Sequence, residues 1–245
     1  MLILNMSGAY EGQEWFFTAS APVLDFTGLP GTNCYLSEDT KEVIKERLKD
    51  HPLKDIHMID SGNYHYISLL FLERIEEDFS LILFDNHPDM QRPAFDGVIS
   101  CGGWVLAAKE TLPNLKNIYI IGAEEELLEE ELSEGEDAFL NVHYIKDRSS
   151  VTTDDYLELL KNDPLKRFYI SIDKDVLSPE YAKCNWSQGI MTPEEIMGIL
   201  NGLKQAGGVS FIGADICGED EMPQNTLNSK ANMYIINELA KILSL

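Results

Sequence analysis

The sequence predicts an α/β fold: three layers, α/β/α, around a central and mainly parallel sheet. Three observations predict it. Short apolar, β-branched runs alternate with helix-like stretches along the chain, the pattern of βαβ units. The runs are mostly continuous rather than alternating in polarity, as in strands buried on both faces. No repeat, no Pro-, Gly- or Ser-rich linker and no break in composition divides the 245 residues, so one domain over 1–245 is expected.

The elements follow in order. Residues 1–6 (MLILNM) read as the first strand, and further strands are expected over 56–60, 80–85, 117–122, 141–146, 167–173 and 209–215. Helical patterns fill 39–51, 64–78, 103–112, 153–161, 193–206 and 226–243. The start of the fifth helix is sharply marked. Thr192-Pro193-Glu194-Glu195 combines a threonine N-cap, a proline at the first helical position and a glutamate that can close a capping box. The acidic stretch 124–137 reads as a solvated helix face.

Nineteen basic residues against 42 acidic ones give a formal net charge of −23. Such a chain lacks the basic footprint of a nucleic-acid binder and is repelled by anionic membrane surfaces. No apolar segment is long enough to span a bilayer, and the N-terminus lacks the basic region of a signal peptide, so a cytoplasmic protein is expected. The four cysteines, Cys34, Cys101, Cys184 and Cys217, form no CxxC pair, which excludes a thiolate zinc finger. Three of them fall just after strands and read as buried inert thiols, with clustering near a site left open. No GxGxxG or P-loop supports nucleotide binding.

In an open parallel sheet, ligands bind beyond the carboxyl ends of the strands. There the chain places Asp85-Asn86-His87-Pro88-Asp89 after one apolar strand and Asp173-Lys174-Asp175 after another. His65 follows a third strand through the turn Asp60-Ser61-Gly62-Asn63-Tyr64, and Asp215 and Glu219 end a fourth. Side chains two apart in extended chain point the same way. In so acidic a chain, DxHxD or DxD alone is weak, but both at the ends of buried strands are far less expected by chance. Crowded without a cation, these carboxylates would repel one another and raise each other's pKa; a divalent metal removes the conflict. The donor set suits Mn²⁺, with Zn²⁺ or Fe²⁺ as alternatives. Six ligands with shared carboxylates would hold two ions about 3.5–4 Å apart and generate hydroxide at neutral pH. The bland alternative is an acidic, solvated surface with no metal.

These segments resemble those of the arginase–agmatinase (ureohydrolase) family, which shares its fold with the histone-deacetylase-like enzymes; the chain looks like a short, divergent member. Gly62-Asn63-Tyr64-His65-Tyr66 stands for the family's GGDHS-type segment, Asp85–Asp89 for its DAHxD segment, and Ser171-Ile172-Asp173-Lys174-Asp175-Val176-Leu177-Ser178-Pro179 for SxDxDxxDP. The resemblance implies a two-manganese cluster held by His65, Asp85, His87, Asp89, Asp173 and Asp175. It makes Asp85 and Asp173 the bridging ligands and Asp89 also the catalytic base.

The departures are specific. Where the family has a proton-shuttling histidine after the second segment, Ser100-Cys101-Gly102-Gly103-Trp104 places a tryptophan. Where it has a glutamate three residues after the late aspartate, Asp215 is followed by Gly218, with Glu219 one further. Asn63-Tyr64 replaces the Gly-Asp pair of the first segment's family form. Asn86, Ser100, Trp104, Trp186 and Glu219 are the candidate substrate-binding residues; for Trp104, packing is the plainer role. His51, His57 and His143 have no ligand spacing. The expected activity is hydrolysis of a guanidino- or amide-type C–N bond in a small molecule, with metal-bound hydroxide as nucleophile. The alternatives are a one-metal, deacetylase-like amidohydrolase and a non-catalytic metal-binding member of the fold. Homo-oligomers are compatible with the resemblance.

Overall fold

The computed structural model describes residues 1–92, 97–132, 141–145, 148, 150–220 and 226–245. Its centre is an eight-stranded sheet with the order β2-β1-β4-β10-β9-β5-β7-β8, every neighbouring pair parallel. The strands are β1 (Leu2–Asn5), β2 (Val23–Asp25), β4 (Ile56–Met58), β5 (Phe79–Phe84), β7 (Leu115–Ile121), β8 (Val142–Tyr144), β9 (Arg167–Asp173) and β10 (Ser210–Cys217). Two short strands, β3 (Tyr35–Leu36) and β6 (Ile99–Ser100), pair antiparallel outside it. The helices are α1 (Glu14–Thr18), α2 (Glu38–Leu48), α3 (Ile67–Leu72), α4 (Trp104–Thr111), α5 (Glu125–Leu132), α6 (Thr153–Lys161), α7 (Pro193–Ala206) and α8 (Thr226–Leu243).

The helices form a layer on each face of the sheet. Along β5, Leu81 and Leu83 pack with Ile44 of α2, Leu70 of α3, Val105 of α4 and Leu128 of α5. Ile82 and Phe84, one residue out of phase, pack with Leu160 of α6, Ile196 and Leu200 of α7 and Ile235 of α8. All six β5 residues are buried, which is why the run is apolar at every position but Ser80. Burying both faces of the sheet supplies most of the hydrophobic stabilisation.

The expected strands and helices are present, with differences at their ends. The strand expected over 141–146 is β8; residue 146 lies outside the described residues, as do 133–137 of the acidic stretch. The helix expected over 64–78 is much shorter. Residues 62–64 form a 3₁₀ turn, and the His65, Ser68 and Leu69 amides bond three residues back. The Arg74 and Ile75 amides do the same at the other end, leaving α helix only over Ile67–Leu72. That segment, Ile-Ser-Leu-Leu-Phe-Leu, is buried on every side, so no solvent face extends its period. The capping box at Thr192 is formed in both directions with Glu195. α6 has a second one, between Thr152 and Asp155. No helix among the described residues is long and apolar enough to cross a membrane.

His57 in β4 lies in this frame as a buried structural imidazole. Its ring stacks on Phe71 at 4.0 Å between centroids, and its nitrogens face the carbonyls of Pro52 and Ala214 at 3.1 Å each. Burial lowers its pKa from 6.5 to about 4. Unfolding exposes an imidazole that protonates near 6.5, so acid favours the unfolded state. This contribution to stability is complete above about pH 6.5 and is lost progressively as the pH falls towards 4, by about 3 kcal/mol in total. Urea titrations from pH 7.5 to 4 are expected to show that acid loss in the wild type and to show it reduced by that amount in His57→Gln.

Candidate metal centre

Four adjacent strands, β4, β10, β9 and β5, deliver the site at their carboxyl ends. Asp85 follows β5 directly, and Asp173 is the last residue of β9. His65 comes from the 3₁₀ turn after β4. His87 and Asp89 continue from Asp85, and Asp175 sits in the 3₁₀ turn after Asp173. Asp89 adopts a left-handed conformation, φ 53°, a costly geometry that a surrounding structure must hold in place. The Val105 amide bonds to its carbonyl at 3.0 Å.

The six side chains converge. His65 Nδ1 lies 3.2 Å from Asp85 Oδ2, 3.1 Å from Asp89 Oδ2 and 3.6 Å from Asp173 Oδ2. His87 Nδ1 lies 2.9 Å from Asp175 Oδ2 and 3.4 Å from Asp85 Oδ1. Two donor groups result, His65–Asp85–Asp89 and Asp85–His87–Asp175, each with its ligand atoms within 4.8 Å of one another. Asp85 belongs to both. Its Oδ2 is buried and accepts no well-aligned hydrogen bond, with the His65 imidazole 3.2 Å away. A buried carboxylate shared by two donor groups and lacking an aligned donor fits a resident cation.

The charges agree. Burial raises the pKa of Asp89, and the neighbouring Asp85 charge adds to it, bringing it to about 7. Burial and the charges around them also raise Asp173 and Asp175. Burial opposes ionisation of Asp85 too, but the two imidazoles outweigh it and hold that carboxyl low. Burial would depress the imidazoles, yet Asp85 and Asp89 raise His65, and Asp175 and Asp85 raise His87 to about 12. Without metal, the imidazoliums supply the positive charge that the carboxylates require.

A second layer of contacts aims these ligands. His65 Nε2 meets Ser171 Oγ at 2.9 Å, and that hydroxyl donates to Asp215 Oδ1 at 2.7 Å. Asp215 therefore lies behind His65, outside the six-residue cluster. Ser187 Oγ meets His87 Nε2 at 3.0 Å. The Asn86 amide donates to Asp175 Oδ1 at 3.1 Å, and its side chain is bound to Ser187 and Arg148. Asn86 thus braces the site from within the protein.

Trp104 is fully buried, and its indole Nε1 donates to Asp89 Oδ2 at 2.7 Å. Its ring lies 4.8 Å from that of His65. The tryptophan at the position of the family's histidine therefore touches a candidate ligand rather than the cavity. Glu219 is also buried. It is ion-paired with Lys174 and accepts from Gln13 at 2.8 Å, Asn228 at 3.1 Å and Asn232 at 2.7 Å. Lys174 sits between the candidate ligands Asp173 and Asp175, so the pair fixes their loop and leaves Glu219 saturated from inside the protein.

The cavity above the cluster has a volume of about 240 Å³ and is lined by Ser100 and Trp186 among the expected substrate residues. Trp186 is 43% exposed, and its indole donates to Asn63 Oδ1 at 2.9 Å. Cys34, Tyr35, Gln91, Cys101 and Gly102 complete the wall. Tyr35 and Gln91 carry no motif that would have marked them. Ser187 belongs to the polar and aromatic segment 185–189, whose composition was its only signal.

Comparison with known proteins adds the family. The model of the Arginase family matches residues 23–220. The chain belongs to the arginase family. An uncharacterized protein of Thermotoga maritima is 25% identical to this arginase-family chain over 240 residues, 97% of this chain and 88% of that protein. The fold is similar to that of the Entamoeba histolytica arginase, solved with L-ornithine: TM-score 0.67, 15% identity, covering 97% of this chain and 96% of that one. It is also similar to the agmatine ureohydrolase of Thermoplasma volcanium: TM-score 0.61, 19% identity, 99% and 90% covered.

Two predictions follow from these contacts. Trp104→Phe keeps the ring and removes the donor to Asp89; its affinity for divalent metal, measured by calorimetry, is expected to fall by about 10–100-fold with little change in fold. Lys174→Met strands a buried carboxylate and is expected to destabilise the protein by about 3–5 kcal/mol in denaturant unfolding, while Lys174→Met with Glu219→Gln recovers much of that.

Proposed function

We propose that this arginase-family protein is a two-metal hydrolase of C–N bonds in a small guanidino- or amide-type molecule. Membership of the family supports a ureohydrolase. The observation that carries the finer reading is Asp85, which belongs to two donor groups and whose buried Oδ2 accepts no well-aligned hydrogen bond and faces the His65 imidazole at 3.2 Å. His65 and Asp89 would hold one ion and His87 and Asp175 the other, with Asp85 and Asp173 between them. The hard carboxylates fit manganese, and the two imidazoles also admit zinc or iron. A bound divalent pair lowers the pKa of the water it holds and polarises the bond under attack.

The chain's own residues supply the rest. Asp89 Oδ2 faces the cluster, placed where a carboxylate can take a proton from the attacking water and return it to the leaving nitrogen. Trp104 holds that oxygen in place. Trp186 and Tyr35, both partly exposed on the cavity wall, offer aromatic surface to the substrate's tail. The saturation of Glu219 by Lys174 removes that carboxylate as a partner for a substrate cation. This favours the amide end of the substrate range over arginine or agmatine.

Protein purified without chelator is expected to carry about two divalent ions per chain, and His87→Ala to lose at least one by elemental analysis. A set of guanidino and N-acyl compounds assayed with the metal-loaded protein is expected to give hydrolysis that chelator abolishes. Metal-free wild type that takes up no ion on reconstitution would refute the assignment.

A further inference from the structure

We propose that the thiol of Cys217 is a further ligand of the ion held by His65 and Asp173, and that it makes the centre prefer a thiophilic divalent ion such as zinc, iron(II) or cobalt(II) over manganese. This rests on the metal-centre reading above and changes its donor set.

The placement is set by the backbone. Cys217 ends β10 directly opposite Asp173 in the β10–β9 register, so both side chains leave the sheet on the same side. Cys217 is fully buried, and its thiol donates to Asp173 Oδ2 at 3.0 Å, the contact a shared ion would replace. Donor atoms of His65, Asp173 and Cys217 lie within 4.8 Å of one another, close to the span of two opposed ligand bonds of about 2.0–2.3 Å.

Gly218 makes the approach feasible. Its φ is +88°, and a Cβ there would come within 2.4 Å of Asp173 Oδ1 and 2.7 Å of the Lys174 amide nitrogen. Only glycine lets the end of β10 close onto the ligand loop in this way. The residue that stands where the resembled family has its glutamate is thus the one that brings a thiol to the metal. The other cysteines are turned elsewhere. Cys184 Sγ donates to the Gly218 carbonyl at 3.1 Å, and Cys34 and Cys101 line the cavity wall.

The chemistry balances without an oxidant. The S–H bond gives its proton to the buffer, a metal–sulfur bond forms in its place, and no electron is transferred. A soft thiolate in an otherwise hard, oxygen-rich set shifts selection towards zinc, iron and cobalt.

The test is titration of the metal-free protein with cobalt(II), read at two wavelengths. Visible ligand-field absorption reports filling of the centre, and a near-ultraviolet charge-transfer band reports a thiolate ligand. The wild type and Cys184→Ser are expected to show both. Cys217→Ser and Cys217→Ala are expected to keep the visible absorption, lose the charge-transfer band and lose zinc-over-manganese selectivity by about tenfold or more. X-ray absorption of the cobalt-loaded wild type, expected to show one sulfur neighbour, gives the same answer without a variant. Visible absorption with no charge-transfer band and no sulfur neighbour, or a band that survives in both Cys217 variants, would overturn the Cys217 assignment and leave the metal centre standing. No cobalt absorption at all in the wild type would overturn both.

Discussion

Four aspartates and two histidines meet in a space from which water is largely excluded, and their mutual repulsion has to be neutralised. The four carboxylates gather around two imidazoles, which lie 2.9–3.6 Å from their oxygens and partly offset their charge. A buried anion left unpaired is strongly unfavourable. A divalent pair is the simplest neutralisation that these donors allow, and most of the surrounding architecture follows from holding them ready for it.

That architecture works in two rings. The inner ring aims the ligands: Trp104 on Asp89, Ser171 and Asp215 on His65, Ser187 on His87, and the Asn86 amide on Asp175. The outer ring anchors the loops that carry them. Lys174 and Glu219 pair in the dry interior between the β9 and β10 ends and α8, with Gln13, Asn228 and Asn232 satisfying their remaining polar atoms. Asp60, at φ 87°, ties the turn after β4 to Ser7 and the Met6 amide. Rigid strands thus supply direction, and a few buried polar contacts supply register. Under the proposed function, bound metal would meet ligands already close to their final places.

Much of this was legible in the sequence because it depends on local rules. Parallel strands buried on both faces are largely apolar, as β5 is apart from Ser80 and β9 is over residues 168–170. A helix start needs a cap, and Thr192 provides one. Ligands at strand ends need alternate spacing, and Asp85-x-His87-x-Asp89 and Asp173-x-Asp175 have it. The rest depends on contacts between residues far apart in the chain. Glu219 is saturated by Lys174, 45 positions away, and nothing local in either segment shows it. Trp104 reaches Asp89 across a turn that only the fold closes. Tyr35 lines the cavity because β3 pairs with β6, two strands too short to carry a period, and Gln91 because its amide bonds to the Gly102 carbonyl at 2.9 Å. The short α3 escaped for a different reason: complete burial removes the polar face by which helix length is read.

The central claim is that these six residues hold two ions with Asp85 between them. The most direct measurement is an anomalous-difference map from crystals that retain the protein's own metal. The account predicts two peaks about 3.5–4 Å apart, one bounded by His65 and Asp89, the other by His87 and Asp175, with the Asp85 and Asp173 carboxylates contacting both. A single peak, or peaks lying away from Asp85, would contradict it.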